Sequence, residues 1–440
     1  MAIWAGAAKH VVTPYVGIGM EGNVREEGSR GVHDDLYARA LVLTDEEGRG
    51  CGLVAVDVCM LTPEMVAQTR RWVAEGSSLA PEQVLVCAIH THAGPTTVGI
   101  FGDPPDRAQL SLIARGAAGA LLEAANGRVP ARIGWTYGRA EEPTNNRRLR
   151  TRDGEVHMNW EGLDPDEVLQ VLGPTDPEIG VLRVDHLSGE PLATVINYAL
   201  HPAILAGDNW LLSADWPGYA LGVIEKLRGG VGVFLNGATG NVNHINYRRP
   251  NQQRGFYEAH RLGTIVGCAA MQALLGVEEL AGEAEIAAVS RTISVPGRQV
   301  TQEQLQAAQG VLAAHQGPLV QAQTDGAPEA LFASEVVKLA ARGQFSEEVE
   351  VQVWRVGQGA MFVVPAELFV EYQLQLKRLN PLTWTFVVGY ANDYQGYVPT
   401  PEALAQGGYE ARPMSWSKLS PQAGQTLVDA GLDLLSSVTR

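Results

Sequence analysis

Residues 51–95 read CGLVAVDVCMLTPEMVAQTRRWVAEGSSLAPEQVLVCAIHTHAGP, and this stretch decides the fold class. Cys51–Val58 and Val84–Ile89 are short apolar runs rich in Val and Ala, the texture of strands buried on both faces. Between them, Pro63–Glu75 places apolar residues at three- and four-residue intervals, which predicts a helix with one buried stripe. Working outward, the alternation recurs. Strands are expected at Leu36–Leu43, Arg132–Tyr137, Gly180–Val184, Thr194–Leu200 and Val231–Leu235, and helices at Gln109–Ala125, Gly218–Leu227 and Gly255–Leu275. The pattern predicts a layered α/β protein with a central sheet.

Beyond residue 276 the texture changes. The stretch 276–344 is rich in Ala, Gln and Glu, and Thr301–His315 opens with a Thr and a Gln three residues later, a capping box. A helical excursion is expected there, because Glu347–Val356 and Ala360–Val364 read as strands again. No Pro- or Ser-rich linker separates the halves, so the expectation is one domain over 1–440.

The 440 residues are 45% hydrophobic and 19% charged, which excludes disorder. Against 33 Lys and Arg stand 49 Asp and Glu, a net charge of −16, and a surface of that sign repels phosphate backbones. No nucleic-acid partner is expected. Four cysteines in a chain of this length make no disulfide framework. No run reaches the length of a membrane span and no leader is visible, so a cytoplasmic protein is expected, with homo-oligomerisation left open.

The sharpest chemical signal lies where Val84–Ile89 gives way to His90-Thr91-His92, before Gly94-Pro95. Side chains two apart on a strand share a face, which would set two imidazoles side by side at the strand's carboxyl end. Imidazole is a common zinc ligand. A third histidine, His201, follows the apolar run Thr194–Leu200 in the same manner. His10, His157, His186, His260 and His315 have no such setting and read as surface or packing residues; His33 and His244 stay open. Carboxylates complete the set. Asp57 closes a strand, Asp215 precedes a helix where capping is the bland reading, and Glu367 stands where a strand passes through Pro365 into a helix. Between Gly389 and Glu410 a Gly- and Pro-broken segment carries Tyr390, Tyr394, Tyr397 and Tyr409, phenols fit to line a pocket mouth. The amide-rich turn FLNGATGNVN at 234–243 lacks a phosphate-loop pattern.

Seven motifs then occur in one order: IHTHAGP (89–95), Asn146-Arg147, ALHPAIL (199–205), SADWPGYA (213–220), NGATGNVN (236–243), PAEL (365–368) and GYVPTPEALAQGGYE (396–410). Together they resemble the catalytic domain of the neutral/alkaline, non-lysosomal ceramidase family. The resemblance implies a mixed sheet flanked by helices and a zinc-dependent amidase. It assigns the zinc to His90, His201, Glu367 and Tyr397, and the polar head of the substrate to His92 and Arg147. Tyr409 would bind the substrate or polarise its carbonyl, and Asp57 or Asp215 would steady an imidazole from behind or help bind substrate. The family's catalytic serine is replaced by Asn243, an amide able only to hydrogen-bond substrate. The chain is expected to lack the family's carboxyl-terminal Ig-like domain. A soluble N-acyl amide is the expected substrate, in place of ceramide. The alternatives are a metal-dependent lactonase or esterase on the same site, and a non-catalytic binding protein of the same fold.

Overall fold

The computed structural model describes every residue except 102–103, 250, 253, 320–325 and 440. Its larger sheet has eight strands: β1 (Ile3–Val11), β2 (Tyr37–Thr44), β3 (Gly50–Val56), β4 (Val84–Ala88), β5 (Val129–Arg139), β6 (Glu178–His186), β7 (Pro191–Tyr198) and β8 (Val231–Asn236). They run in the order β8-β7-β6-β5-β1-β2-β3-β4. The sheet is mixed: β7 with β8 and β3 with β4 pair in parallel at its two ends, and the strands between pair antiparallel. Helices α1 (Pro63–Gly76) and α2 (Arg107–Asn126) cover β1 to β4, while α3 (Asp215–Arg228) and α4 (Gly255–Leu275) cover β5, β6 and β8. Seven of the eight strands were expected from the apolar runs. The eighth, β1, reads IWAGAAKHV, with too many small residues to stand out as a hydrophobic run.

A second sheet follows. Its strands are β9 (Ile286–Pro296), β10 (Ser346–Val356), β11 (Gly359–Val363) and β13 (Trp384–Val388), with β12 (Glu367–Leu368) in a separate short pair with β14 (Tyr397–Val398). Among the described residues, the remaining α-helices are α5 (Gln302–Ala314), α6 (Glu329–Ala341), α7 (Val370–Leu379), α8 (Pro401–Gln406) and α9 (Ala423–Thr439). The stretch expected to be a helical excursion therefore begins with an eleven-residue strand, β9, before α5 and α6. Only one residue of β9 is fully buried, so its sequence carries little of the apolar signal that marks a strand. Thr301 does form the expected capping box with Gln304 at the start of α5.

Curling of the large sheet positions the site. The side chain of Asn236, at the end of β8, donates to the Ile89 carbonyl beyond β4 (3.1 Å), joining the two edges of the sheet. Residues just past β13 fill the seam: Gly389 N–H donates to Asn236 O (3.0 Å), Ala88 N–H to Tyr390 O (3.0 Å) and Asn392 N–H to Val86 O (2.8 Å). Tyr390 and Asn392 take left-handed backbone angles to do so, φ 55° and 64°. The ends of β4, β7 and β8 thereby meet the second sheet at one point. One apolar core lies around the large sheet, and another lies between the second sheet, α7 and α9.

Candidate active site

His90 leaves the end of β4 at φ 70°, left-handed and uncommon for a non-glycine residue. The two histidines of the HTH motif thus do not converge by strand pleat as the spacing suggested. β4 stops at Ala88, and the turn at His90 brings the rings together. His201 arrives three residues past β7. The Nε2 atoms of His90 and His201 lie 3.1 Å apart, those of His92 and His90 3.3 Å, and those of His201 and His92 3.0 Å. A carboxylate oxygen of Glu367 is 3.6 Å from His90 Nε2. Parallel pairing of β12 and β14 sets Glu367 directly beside Tyr397.

Each imidazole has an acceptor behind it. His90 Nδ1–H donates to Cys59 O (2.7 Å), His201 Nδ1–H to Thr239 O (3.3 Å) and His92 Nδ1–H to the Asn23 side-chain oxygen (3.0 Å). With the protons on Nδ1, three Nε2 lone pairs face one another next to a carboxylate. Burial, then the neighbouring cationic groups, push the pKa values of His92 and His201 well below the ordinary imidazole range. Burial alone would raise Glu367, but His90, Tyr394 and Arg147 outweigh it and keep the carboxyl below its usual range. Three imidazole nitrogens gathered this closely beside a carboxylate are a donor set for a cation. His90, His201 and Glu367 stand within metal-bridging reach of one another, so the residues fit the expected zinc.

The supporting residues differ in part from those expected. Asp57 accepts from Tyr37 N–H (2.8 Å), and Asp215 from Leu205 N–H (2.8 Å) and Trp216 N–H (2.5 Å). Neither carboxylate is bonded to an imidazole or lines the cavity, because backbone carbonyls and Asn23 already occupy the Nδ1 positions. Asp215 is the first residue of α3, just past the cap position held by Ala214, so the expected capping role is not found either. Tyr390 and Tyr394 belong behind the cluster instead of at its mouth. Tyr394 donates to Glu367 (2.6 Å), and Tyr390 stacks on His90 at 3.9 Å with its hydroxyl 3.4 Å from Glu367. The cradle for His92 has no sequence signal. Gly22 sits under the ring at φ 93°, Asn23 holds Nδ1, and Arg25 donates to the His92 carbonyl (2.8 Å).

The cluster opens on a cavity of about 50 Å³ lined by His92, His201, Arg147, Asn243, Tyr397 and Tyr409, among others. Arg147 is buried, donates to Glu410 (2.7 Å) and Gly240 O (2.6 Å), and lies over Tyr397 and Trp160. Asn243 lines the cavity, its amide in a reciprocal pair with Asn159 (2.7 and 2.9 Å). His244, left open by the sequence, also lines the cavity.

Fold and site together define a mixed α/β protein with a buried histidine–glutamate cluster suited to a metal ion. The chain belongs to the neutral/alkaline non-lysosomal ceramidase family, whose N-terminal sequence profile matches residues 4–239. It is similar to Neutral ceramidase A of Dictyostelium discoideum, 27% identical over 228 residues, 49% of this chain and 30% of that protein. Neutral ceramidase B of the same organism is 25% identical over 221 residues, 47% of this chain and 29% of that protein. The matched segment therefore spans less than a third of those relatives. Among solved structures, neutral ceramidase from Pseudomonas aeruginosa superposes at a TM-score of 0.75, over all of this chain and 75% of that one, at 19% identity. A ceramidase complexed with C2 gives 0.76, over all of this chain and 76% of that one, at 18% identity. These likenesses carry the fold. Among the described residues, no helix is long and apolar enough to cross a membrane.

Proposed function

We propose that the cavity is the active site of a zinc-dependent hydrolase that cleaves the amide of an N-acyl substrate. One observation carries the reading: three imidazole Nε2 atoms 3.0–3.3 Å apart, with their Nδ1 protons engaged elsewhere, beside the Glu367 carboxylate. His90, His201 and Glu367 would hold the metal, with Tyr397 completing the set that the family resemblance implies. Zinc bound there supplies Lewis acidity, which polarises a carbonyl and brings the pKa of a water from 15.7 toward about 7.

The chain's own groups do the rest. Tyr394 and Tyr390 fix the Glu367 carboxylate from behind. His92, neutral and held at Nδ1 by Asn23, presents Nε2 as a base. It takes a proton from the attacking water and returns it to the leaving nitrogen as the C–N bond breaks, so an acid and an amine leave. Burial keeps the Tyr409 phenol protonated far above the ordinary range, ready to donate to the substrate carbonyl oxygen. Arg147, its fork fixed by Glu410 and Gly240, orients polar groups of the substrate. Asn243 has no nucleophilic atom, and none is needed when water attacks.

Elemental analysis and an amide assay test the reading. About one zinc per chain is expected after loading, lost together with hydrolysis in His201→Ala, and Glu367→Gln should lose hydrolysis while circular dichroism stays native. A protein that takes up no zinc from supplemented buffer, or a His201→Ala variant with full turnover, overturns it. Matched amide, ester and lactone substrates then rank the bond cleaved.

A further inference from the structure

Three hollows meet at Trp160. Among the described residues it alone borders the inner cavity of about 50 Å³, a second hollow of about 220 Å³ and a third of about 860 Å³. Tyr409 is shared by the inner cavity and the largest hollow, and Ile245 by the inner cavity and the smaller one. The largest is walled by the rings of Trp160, Phe332 and Tyr409, with Val156 and Ala327 beside them. Of its charged groups, Glu329 is paired with Arg412 (2.5 Å) and Glu161 with His157 (2.7 Å). The smaller hollow is lined by the amide side chains of Asn159, Asn246 and Gln252, among others.

Trp160 is firmly placed between them. It follows the short strand Val156–Met158 in a turn closed by Glu161, whose N–H donates to Met158 O (3.0 Å) and whose carboxylate accepts from Met158 N–H (3.0 Å). Its neighbour Asn159 is buried, and its amide is bound on every side. Nδ2 donates to Asn243 Oδ1 (2.7 Å) and Ile245 O (2.6 Å), Oδ1 accepts from Asn243 Nδ2 (2.9 Å), and the backbone N–H donates to Arg147 O (2.9 Å). A buried polar network satisfied this fully holds one arrangement. The indole then lies over the Arg147 guanidinium at 5.2 Å and meets Tyr409 edge to face at 5.5 Å.

The two arms of an amide leave its reacting carbon and nitrogen in different directions. Building on the amide-hydrolase reading, we infer that Trp160 is a partition that sorts those arms and so determines specificity. A bulky apolar arm takes the ring-walled hollow, where aromatic faces suit it, and the other arm is confined to the smaller, polar one. Asn159 and Asn243 are positioning residues that act through Trp160. The preferred substrate is an amide with one bulky apolar arm and one compact polar arm.

Binding, read without turnover, decides the matter. Sulfonamides are not hydrolysed as amides, and a naphthylmethyl group can be set on the sulfur side, on the nitrogen side or on both, with methyl at the remaining position. Titrated calorimetrically into the zinc-loaded protein, one singly bulky isomer is expected to bind at least about tenfold tighter than the other, and the doubly bulky compound no tighter than the better isomer. In Trp160→Ala the gap between the isomers should shrink to about threefold or less and the doubly bulky compound should gain affinity, with circular dichroism and zinc content native. Trp160→Phe, which keeps a ring, should keep most of the gap. Asn243→Ala should narrow it in the wild-type background and leave it unchanged in the Trp160→Ala background, the coupling expected of a residue acting through the indole. Isomers that bind the wild type alike, or a gap retained in full by Trp160→Ala, overturn the inference. Failure of every amide to be hydrolysed would overturn the catalytic reading while leaving this preference measurable.

Discussion

Gly22 shows how tightly single residues constrain the site. Its φ of 93° suits glycine, and a Cβ there would lie 2.4 Å from Cγ of His92, so any side chain displaces the ring or the strap beneath it. Gly22→Ala is expected to lower kcat/KM for amide hydrolysis by about tenfold or more, about 1.4 kcal/mol, with zinc content unchanged. Unchanged turnover would mean that the strap does not hold His92 in place as the base. Asp57 makes a different prediction. Burial raises its pKa to about 7, against the pull of Arg39, from an ordinary value near 3.8. The folded protein thus holds that proton more tightly than the unfolded chain. Its stabilising contribution is complete below about 4 and fades as pH rises through 7. Asp57→Asn should flatten the fall in urea-unfolding stability between about pH 5 and 8, by on the order of 2–4 kcal/mol. Asp215 shifts in the same direction, but it accepts two backbone N–H groups that an asparagine could not both satisfy, so Asp57 gives the clearer test.

Between elements, one buried carboxylate ties the far end of the segment 396–411 to two arginines at the site. Glu410, fully buried, takes both Arg147 (2.7 Å) and Arg148 (2.8 Å). Removing one member of a buried ionic group leaves uncompensated charge, so Glu410→Ala should cost about 3–5 kcal/mol in chemical denaturation. A loss below 1 kcal/mol would show that water replaces the carboxylate. The elements also show what a sequence makes legible. Strands β2, β3, β4, β6, β7 and β8 could be read because burial on both faces leaves runs rich in Val, Ile, Leu and Ala. The site histidines could be read because each stands just past such a run, where the chain changes from apolar to polar. β1 and β9 were hidden, one by its small residues and the other by its half-exposed faces. Equally hidden were Gly22, Asn23 and Arg25, whose work depends on a contact with His92 some seventy residues away and leaves no local period. The reading of Asp57 and Asp215 as imidazole partners failed for a related reason: a backbone carbonyl is as good an acceptor as a carboxylate, and no sequence marks which carbonyl lies nearby.

Across the whole molecule, the proposed metal ligands come from the large sheet and from the short strand pair. His90 and His201 follow strands of the large sheet, whereas Glu367 and Tyr397 come from the short pair next to the second. A bound ion would tie together two apolar cores that otherwise meet through the seam at Gly389–Asn392 and the surrounding packing. Binding to the folded chain alone stabilises it by RT ln(1 + [L]/Kd), about 4 kcal/mol at a thousandfold excess over Kd. Zinc should therefore raise the thermal midpoint by several degrees, and a chelator should reverse the gain. In His201→Ala the response should vanish, although the folded baseline remains. The comparison matters because zinc bound adventitiously to surface histidines such as His157 would stabilise wild type and variant alike. A metal response of equal size in both proteins would remove the ion from the junction of the sheets, and with it the physical reason for four distant side chains to meet there.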